Sequence, residues 1–209
     1  MKAYWSKRFA QEGMIWGTQP SQTAEMARRL FQQHKVKRLL IPGIGYGRNS
    51  KLFTETGMEV DGIELSTEAI ELARNWNPEA RVFHGSVLDM PFSEDLYDGI
   101  YCYDVIHLFL EKDRKQLIDN CIRQLKAGGV LYFTCFSELD RDFGIGKEIE
   151  KNTYEVKKDK VVHFFTEEEL FDSFKELSIQ ESGIVEDILT YGDGSSKSYS
   201  LRYLFAMKK

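Results

Sequence analysis

Three closely spaced glycines and one acidic residue are the parts of this chain whose types and spacing could bind a ligand. The glycines are Gly43, Gly45 and Gly47, directly after the apolar run 38–41. Without a Cβ atom, such a turn can adopt positive φ angles and bring its backbone close to a ligand. Glu64 follows about 20 residues later at the end of the next apolar run, where a carboxylate can bind a ribose diol. The pattern indicates a site for an adenosine-type cofactor.

Two histidines are candidates for moving a proton during a reaction. His107 follows the predicted strand 99–103, at the edge where ligands bind in open α/β sheets. An imidazole there could act as a general base for an acceptor that must lose a proton. The alternative for His107 is a helix residue with a satisfied ring. His163, in the alternating run Val161-Val-His-Phe-Phe, is a second candidate, and a strand or lid edge is its structural alternative.

The length fits one domain of ordinary α/β size spanning residues 1–209, and the composition is that of a globular protein. The chain is 42% apolar and 29% charged, which argues against disorder. Its net charge of −5 argues against a general nucleic-acid or anionic-membrane binder, because such binding depends on clustered Lys and Arg. We therefore expect no nucleic-acid partner and no membrane partner.

Location and metal content are also constrained by the sequence. There is no apolar run of roughly 18 residues, and Met1-Lys-Ala-Tyr-Trp-Ser lacks the apolar region of a signal peptide. This favours a cytoplasmic protein. Cys102, Cys121 and Cys135 are widely spaced, so we expect buried free thiols, with neither a disulfide framework nor a metal site.

The apolar periodicity alternates between strands and helices along most of the chain. The predicted strands are 38–41, 58–64, 81–84, 99–103 and 129–136, and the predicted helices are 22–34, 49–56, 66–76 and 113–125. Strands separated by helices must run parallel, because a parallel pair needs a crossover connection.

Residues 166–209 break this alternation. A helix is predicted over 166–177, starting with a capping-box pattern at Thr166. Two strand-like runs follow at 178–188 and 198–206 with no helix between them. Without a crossover, these two strands can only form an antiparallel hairpin.

The order of these motifs resembles that of the class I S-adenosylmethionine-dependent methyltransferases over nearly the whole chain. The matching segments begin with Leu40-Ile-Pro-Gly-Ile-Gly-Tyr-Gly and Val60-Asp-Gly-Ile-Glu-Leu-Ser, and continue with residues 85–92, 97–107 and 125–131. The resemblance implies a three-layer, Rossmann-like α/β fold. Its seven-stranded sheet would be mostly parallel with an antiparallel last strand and helices on both faces. S-adenosyl-L-methionine would be the cofactor and methyl transfer the reaction.

The resemblance also implies a role for individual residues of this chain. The turn of Gly43, Gly45 and Gly47 would face the methionine end of the cofactor, and Glu64 would accept both ribose hydroxyls. The other implied contacts are Leu65 packed on the adenine, the backbone of Val87 and Leu88 with the Asp89 side chain at the adenine edge, and the Tyr103 carbonyl near the methionine amino group. Ser86 stands where many relatives have an acid, which leaves the partner of the adenine amine open.

A narrower resemblance concerns the N-terminal segment Trp16-Gly-Thr-Gln-Pro-Ser. It is similar to a segment that lies over the cofactor in the small-molecule subgroup of thiopurine and tellurite methyltransferases. We therefore expect residues 1–35 to form a helical lid with Trp16 over the cofactor. The irregular, aromatic-bearing segment 137–165 is interpreted as a substrate-cover insertion.

The sequence thus favours methyl transfer to a small-molecule acceptor by a monomer or homodimer. An NAD-dependent oxidoreductase is an alternative, since it uses a similar glycine turn and acidic strand end. A protein of methyltransferase fold that binds cofactor without turnover is a third possibility.

Overall fold

The computed structural model describes residues 2–158 and 160–209, and it contains two sheets. Met1 and Asp159 lie outside the described residues. The strands are β1 (Arg38–Pro42), β2 (Glu59–Glu64), β3 (Arg81–His84), β4 (Tyr97–Cys102), β5 (Leu125–Phe136), β6 (Lys147–Glu150), β7 (Thr153–Lys157), β8 (Lys160–His163), β9 (Ser178–Thr190) and β10 (Ser196–Met207).

Within the described residues, six α-helices connect or cover these strands. They are α1 (Lys2–Glu12), α2 (Gln22–Gln33), α3 (Ser50–Thr54), α4 (Thr67–Trp76), α5 (Glu111–Gln124) and α6 (Glu167–Ser173), and short 3-10 turns lie at Val87–Asp89 and Ile106–Leu108. None of the helices in the described part of the chain is long and apolar enough to cross a membrane.

The large sheet has the strand order β3-β2-β1-β4-β5-β10-β9. Strands β1 to β5 pair in parallel, and β10 is antiparallel to both β5 and β9. The predicted terminal hairpin is therefore confirmed. Its second strand lies inside the sheet, between β5 and β9, and β9 forms the edge.

Two apolar cores lie on opposite faces of the large sheet because successive strand residues point in opposite directions. In β1, Leu40 belongs to the core that α5 and α6 cover, whereas Leu39 and Ile41 belong to the core that α2, α3 and α4 cover. This arrangement confirms the expected three-layer α/β fold with helices on both faces.

Side-chain caps explain where three of the helices begin. Ser21, Ser66 and Thr166 each accept a hydrogen bond from the backbone N–H three residues later. Such a cap contributes about 1 kcal/mol. Helix α6 ends at Ser173, earlier than the predicted 177, because the chain turns at the buried Phe174.

The segment 137–165 differs from the irregular insertion that we expected. Strands β6, β7 and β8 form a separate three-stranded antiparallel sheet there. Phe164 and Phe165 follow β8 and are buried, and Phe165 exchanges backbone contacts with Phe136 and Glu138. The insertion is thus attached to the end of β5 by backbone hydrogen bonds of Phe165.

Candidate active site

A cleft of about 380 Å³ lies where the strand order reverses, between the carboxyl ends of β1 and β4. Ligands bind at this place in open α/β sheets. Eight of the predicted site residues line the cleft: Trp16, Gly43, Gly45, Glu64, Leu65, Val87, Tyr103 and His107. Gly47, Leu88 and Asp89 lie outside its lining.

The glycine turn has positive φ angles at Gly43, Gly45 and Gly47. A Cβ atom on Gly43 would lie 2.5 Å from Cγ2 of Val105, so the ends of β1 and β4 could not pack together with a larger residue. A Cβ atom on Gly45 would have Cζ of Phe9 as its nearest neighbour, at 3.9 Å. Only the backbone angle requires glycine at position 45, whereas position 43 requires it for packing as well.

Glu64 is buried beneath this turn, and its carboxylate accepts three backbone hydrogen bonds. Gly45 N donates to Oε2 at 3.0 Å, and the amides of Leu65 and Ser66 both donate to Oε1 at 2.8 Å. Burial raises the pKa of Glu64, and the three amides oppose that rise. A carboxylate has about four acceptor positions. One position, on Oε2, therefore remains for a further donor.

The expected adenine side of the cleft is only partly assembled from the predicted residues. Leu65 and Val87 line it together with Ser86, whose hydroxyl accepts from Leu88 N at 3.2 Å. The Leu88 carbonyl already accepts from the side chains of Gln116 and Asn120 in α5. Asp89 is exposed to solvent. The geometry thus favours Ser86 over Asp89 as the polar side chain on this side.

Aromatic side chains of the N-terminal region cover the opposite wall of the cleft. Trp5, Phe9 and Trp16 all line it, and Phe9 packs edge-on against Tyr46 with ring centroids 6.1 Å apart. The rings of Trp16 and Tyr46 stack at 6.2 Å. Tyr46 lies within the glycine turn itself, so the N-terminal region contacts the turn directly.

Tyr46 also ties the N-terminal segment to the turn by hydrogen bonds. Its hydroxyl donates to Gly17 O at 2.8 Å and accepts from Trp16 N at 3.1 Å. Burial raises the pKa of Tyr46 to about 12, so the hydroxyl keeps its proton at neutral pH. This link could not be predicted from the sequence, because the paired residues lie about 30 positions apart and only tertiary packing brings them together.

A polar network surrounds the exit of β4. The Tyr103 hydroxyl donates to Asp187 Oδ2 at 2.5 Å and accepts from Arg48 Nη2 at 3.0 Å. Arg48, from the glycine turn, is buried and lines the cleft. The network joins the turn, β4 and β9 through side chains.

Asp104 is a cleft residue that the sequence analysis did not select. It has a φ angle of 55°, and Thr134 Oγ1 donates to its Oδ1 at 2.8 Å. Burial raises the pKa of Asp104 to about 7, and the negative charge of Asp187 contributes to the rise. Thr134 and Arg48 act in the opposite direction. An acid directly after a strand end was the signal that could have identified it.

The two candidate histidines have different positions. His107 lines the cleft, its ring stacks on Phe136 at 4.2 Å, and its buried Nδ1 has no hydrogen-bond partner among the described residues. Burial lowers the pKa of His107 well below its usual value. His163 lies outside the cleft lining, with Nδ1 2.8 Å from Thr153 Oγ1 and Nε2 2.9 Å from Glu169. Its environment is that of a structural residue.

The central part of the chain is similar to proteins of known family. Residues 40–133 match the family model for a methyltransferase domain. The tRNA N(3)-methylcytidine methyltransferase Mettl2 of Drosophila melanogaster is 32% identical over 145 residues, 64% of this chain and 45% of that protein. The sarcosine/dimethylglycine N-methyltransferase of Aphanothece halophytica is 31% identical over 100 residues, 44% of this chain and 35% of that protein. The chain spans less than half the length of either relative.

Solved structures extend the likeness to almost the whole chain. An S-adenosylmethionine-dependent methyltransferase from Methanosarcina mazei has a TM-score of 0.72 at 20% identity, covering 86% of this chain and 96% of that one. TehB from Haemophilus influenzae has a TM-score of 0.70 at 16% identity, covering 98% and 67%. The chain has the class I methyltransferase fold. Within this methyltransferase fold, the matched domain supports S-adenosyl-L-methionine as the cofactor.

Proposed function

We propose that this chain is an S-adenosylmethionine-dependent methyltransferase that acts on a small-molecule acceptor. The observation that supports it most directly is the cleft at the reversal of strand order, lined by the glycine turn, Glu64 and the exit of β4. The covering wall formed by Trp5, Phe9 and Trp16 supports the small-molecule part, because it narrows access to the cleft.

In this proposal the chain binds and orients the cofactor. The backbone of Gly43 and Gly45 approaches its methionine arm, and the free acceptor position on Glu64 binds one ribose hydroxyl. The second hydroxyl would need a different partner, or the release of the Gly45 amide from Oε2. Leu65 and Val87 would enclose the adenine, with Ser86 at its polar edge.

The cofactor, when bound, supplies an electrophilic methyl group. The residues of this chain contribute position and the exclusion of water. Nδ1 of His107 has no partner among the described residues, and the lowered pKa keeps the imidazole neutral and weakly basic, so the ring is suited to hydrogen-bond an acceptor group.

A macromolecular acceptor is the second candidate, because the Drosophila relative acts on tRNA. The negative net charge of this chain does not favour a polyanion. Incubation with radiolabelled S-adenosylmethionine would compare bulk tRNA with a deproteinised small-molecule extract. We expect label in the small molecules, and label in tRNA would contradict the proposed acceptor class.

Calorimetric titration tests the cofactor separately. S-adenosylhomocysteine and S-adenosylmethionine should bind, and NAD should not. Tight binding of NAD alone would favour the oxidoreductase alternative. Binding of S-adenosylhomocysteine without methyl transfer to the tRNA or to the small-molecule extract would favour a cofactor-binding protein without turnover.

A further inference from the structure

A second cavity, of about 1250 Å³, adjoins the cleft. We call it the outer cavity. It lies between α1, the β6–β8 insertion and the turn that joins β9 to β10. The residues that line both the cleft and the outer cavity are Arg8, Phe136, Lys160, Tyr191 and Tyr199. These shared residues mark the path by which an acceptor would reach the cofactor.

The lining of the outer cavity has an excess of positive charge, although the whole chain is acidic. Its cationic residues are Lys7, Arg8, Arg141, Lys157, Lys160 and Lys197, and its acidic residues are Glu12, Asp142 and Asp193. Glu12 is paired with Arg8 at 3.1 Å, and Asp142 is paired with Lys197. Six cationic residues against three acidic residues leave the lining of the outer cavity with a net positive charge.

Two cations, Arg8 and Lys160, lie at the junction of the two cavities, and Arg8 is paired with Glu12. The Lys160 Nζ lies 5.6 Å from the ring centroid of Tyr4 and 5.9 Å from that of Trp5. It forms no ion pair or hydrogen bond with another described side chain. Burial lowers the pKa of Lys160 to about 8, and the positive charges of Arg8, Lys157 and Lys197 add to this effect, while Asp142 opposes it.

A half-buried ammonium group without an acidic partner favours an anionic ligand, because an acid group neutralises its charge and replaces the solvation lost on burial. The same cavity offers apolar surface from Ile15, Phe136 and Phe164. An acceptor with both an acid group and an apolar body would satisfy both parts of the lining.

Building on the proposed function, we propose that the acceptor is a small organic anion whose acid group binds the ammonium of Lys160. The apolar body would then lie against the part of the Phe136 ring that lines both cavities, and this ring also stacks on His107 and on Tyr199, the latter at 5.1 Å. This places the acceptor body between the outer cavity and the cleft. Lys160 is a substrate-binding residue in this arrangement.

Lysine acetylation on the full chain tests this inference without knowledge of the natural acceptor. With S-adenosylhomocysteine bound, the rate of acetylation by N-acetoxysuccinimide is measured at each lysine by peptide mass spectrometry. Benzoate and phenyl phosphate serve as anionic probes, benzamide as their neutral match, and the exposed Lys158 as an internal control. We expect the preferred acid to slow acetylation of Lys160 by about threefold or more relative to Lys158, with no effect of benzamide.

The two acid probes distinguish a carboxylate from a phosphate site. Equal protection by benzamide, or no protection by either acid, would overturn the inference. Protection by bulk tRNA but by neither small acid would also overturn it and assign the site to nucleic acid.

A pair of variants separates this inference from the proposed function. With each variant saturated with S-adenosylhomocysteine, as established by titration, Lys160→Met should lose the saturation-transfer NMR signal of the protecting acid. Lys158→Met should keep that signal. Loss of S-adenosylhomocysteine binding by the wild type would count against the proposed function itself, whereas an unchanged acid signal in Lys160→Met would contradict only the present inference.

Discussion

At the scale of single residues, Glu64 has a structural role before any ligand arrives. Its carboxylate joins the glycine turn to the start of the next helix through the amides of Gly45, Leu65 and Ser66. A strand-end acid was predicted to bind ribose, but a buried acceptor of three backbone hydrogen bonds also holds the turn in shape. The two roles are compatible only if the cofactor uses the remaining acceptor position.

We expect Glu64→Gln to destabilise the fold and weaken cofactor binding together. The amide nitrogen of Gln would face a backbone N–H and leave it unpaired, which costs about 1–3 kcal/mol. Chemical denaturation and calorimetry with S-adenosylhomocysteine measure the two effects. Glu71→Gln, at an exposed position of α4, is the matched control. Wild-type stability in Glu64→Gln would show that the three amides find other partners.

Asp104 should make cofactor binding depend on pH. Its pKa is raised to about 7, and the proposed cofactor is cationic at its amino group, so binding should favour the carboxylate form. Affinity for S-adenosylhomocysteine should therefore rise about tenfold between pH 6 and pH 8, as expected for one coupled proton. Asp104→Asn should remove this dependence. A pH profile that is the same in both proteins would exclude Asp104 as its source.

At the scale of elements, most strands and helices followed from apolar periodicity and caps, as at Ser21 and Ser66. The β6–β8 strands did not, because their faces are mixed: β6 reads Lys147-Glu-Ile-Glu and is largely exposed. Contacts within the site were also beyond the sequence. The bonds of Tyr46 to the N-terminal segment, and the closeness of Gly43 to Val105, depend on packing between distant positions.

Loss of the Tyr46 hydroxyl should loosen the N-terminal segment. Tyr46→Phe keeps the ring stacked on Trp16 but removes the bonds to Trp16 N and Gly17 O. We expect faster proteolysis within residues 12–20 and weaker binding of S-adenosylhomocysteine. The control is Tyr203→Phe in the β9–β10 hairpin, which removes a hydroxyl that donates to Glu181 at 2.9 Å. Equal proteolysis of the two variants would contradict a tethering role.

At the scale of the whole molecule, two segments from different parts of the chain flank the cleft. The N-terminal region supplies Trp5, Phe9 and Trp16, and the β6–β8 insertion supplies Lys160. Both segments line the same cleft, although they are far apart in sequence. If both segments close over the cofactor, as predicted, cofactor binding must change the hydrogen exchange of each of them.

Hydrogen exchange with and without S-adenosylhomocysteine tests this joint response. We expect slower exchange in residues 14–21, in the turn 43–47 and in the insertion 147–163, because closure would bury all three. Residues 178–181 of β9 lie beside the part of β10 that pairs with residues 130–132 of β5, away from the carboxyl strand ends that form the cleft, and they serve as the internal reference. Protection restricted to the turn would mean that neither segment closes over the cofactor.

The position of β10 has a consequence for how the chain folds during its synthesis. Strand β10 pairs with β5 on one side and β9 on the other, and among the described residues β10 is the partner of β9 in the large sheet. While the ribosome is still producing residues before Ser196, β5 has an unpaired edge and β9 has no place in the sheet. The nascent protein therefore presents an open strand edge, which favours association with other chains. A chain ended after Thr190 should keep that edge permanently and aggregate, whatever its affinity for a cofactor.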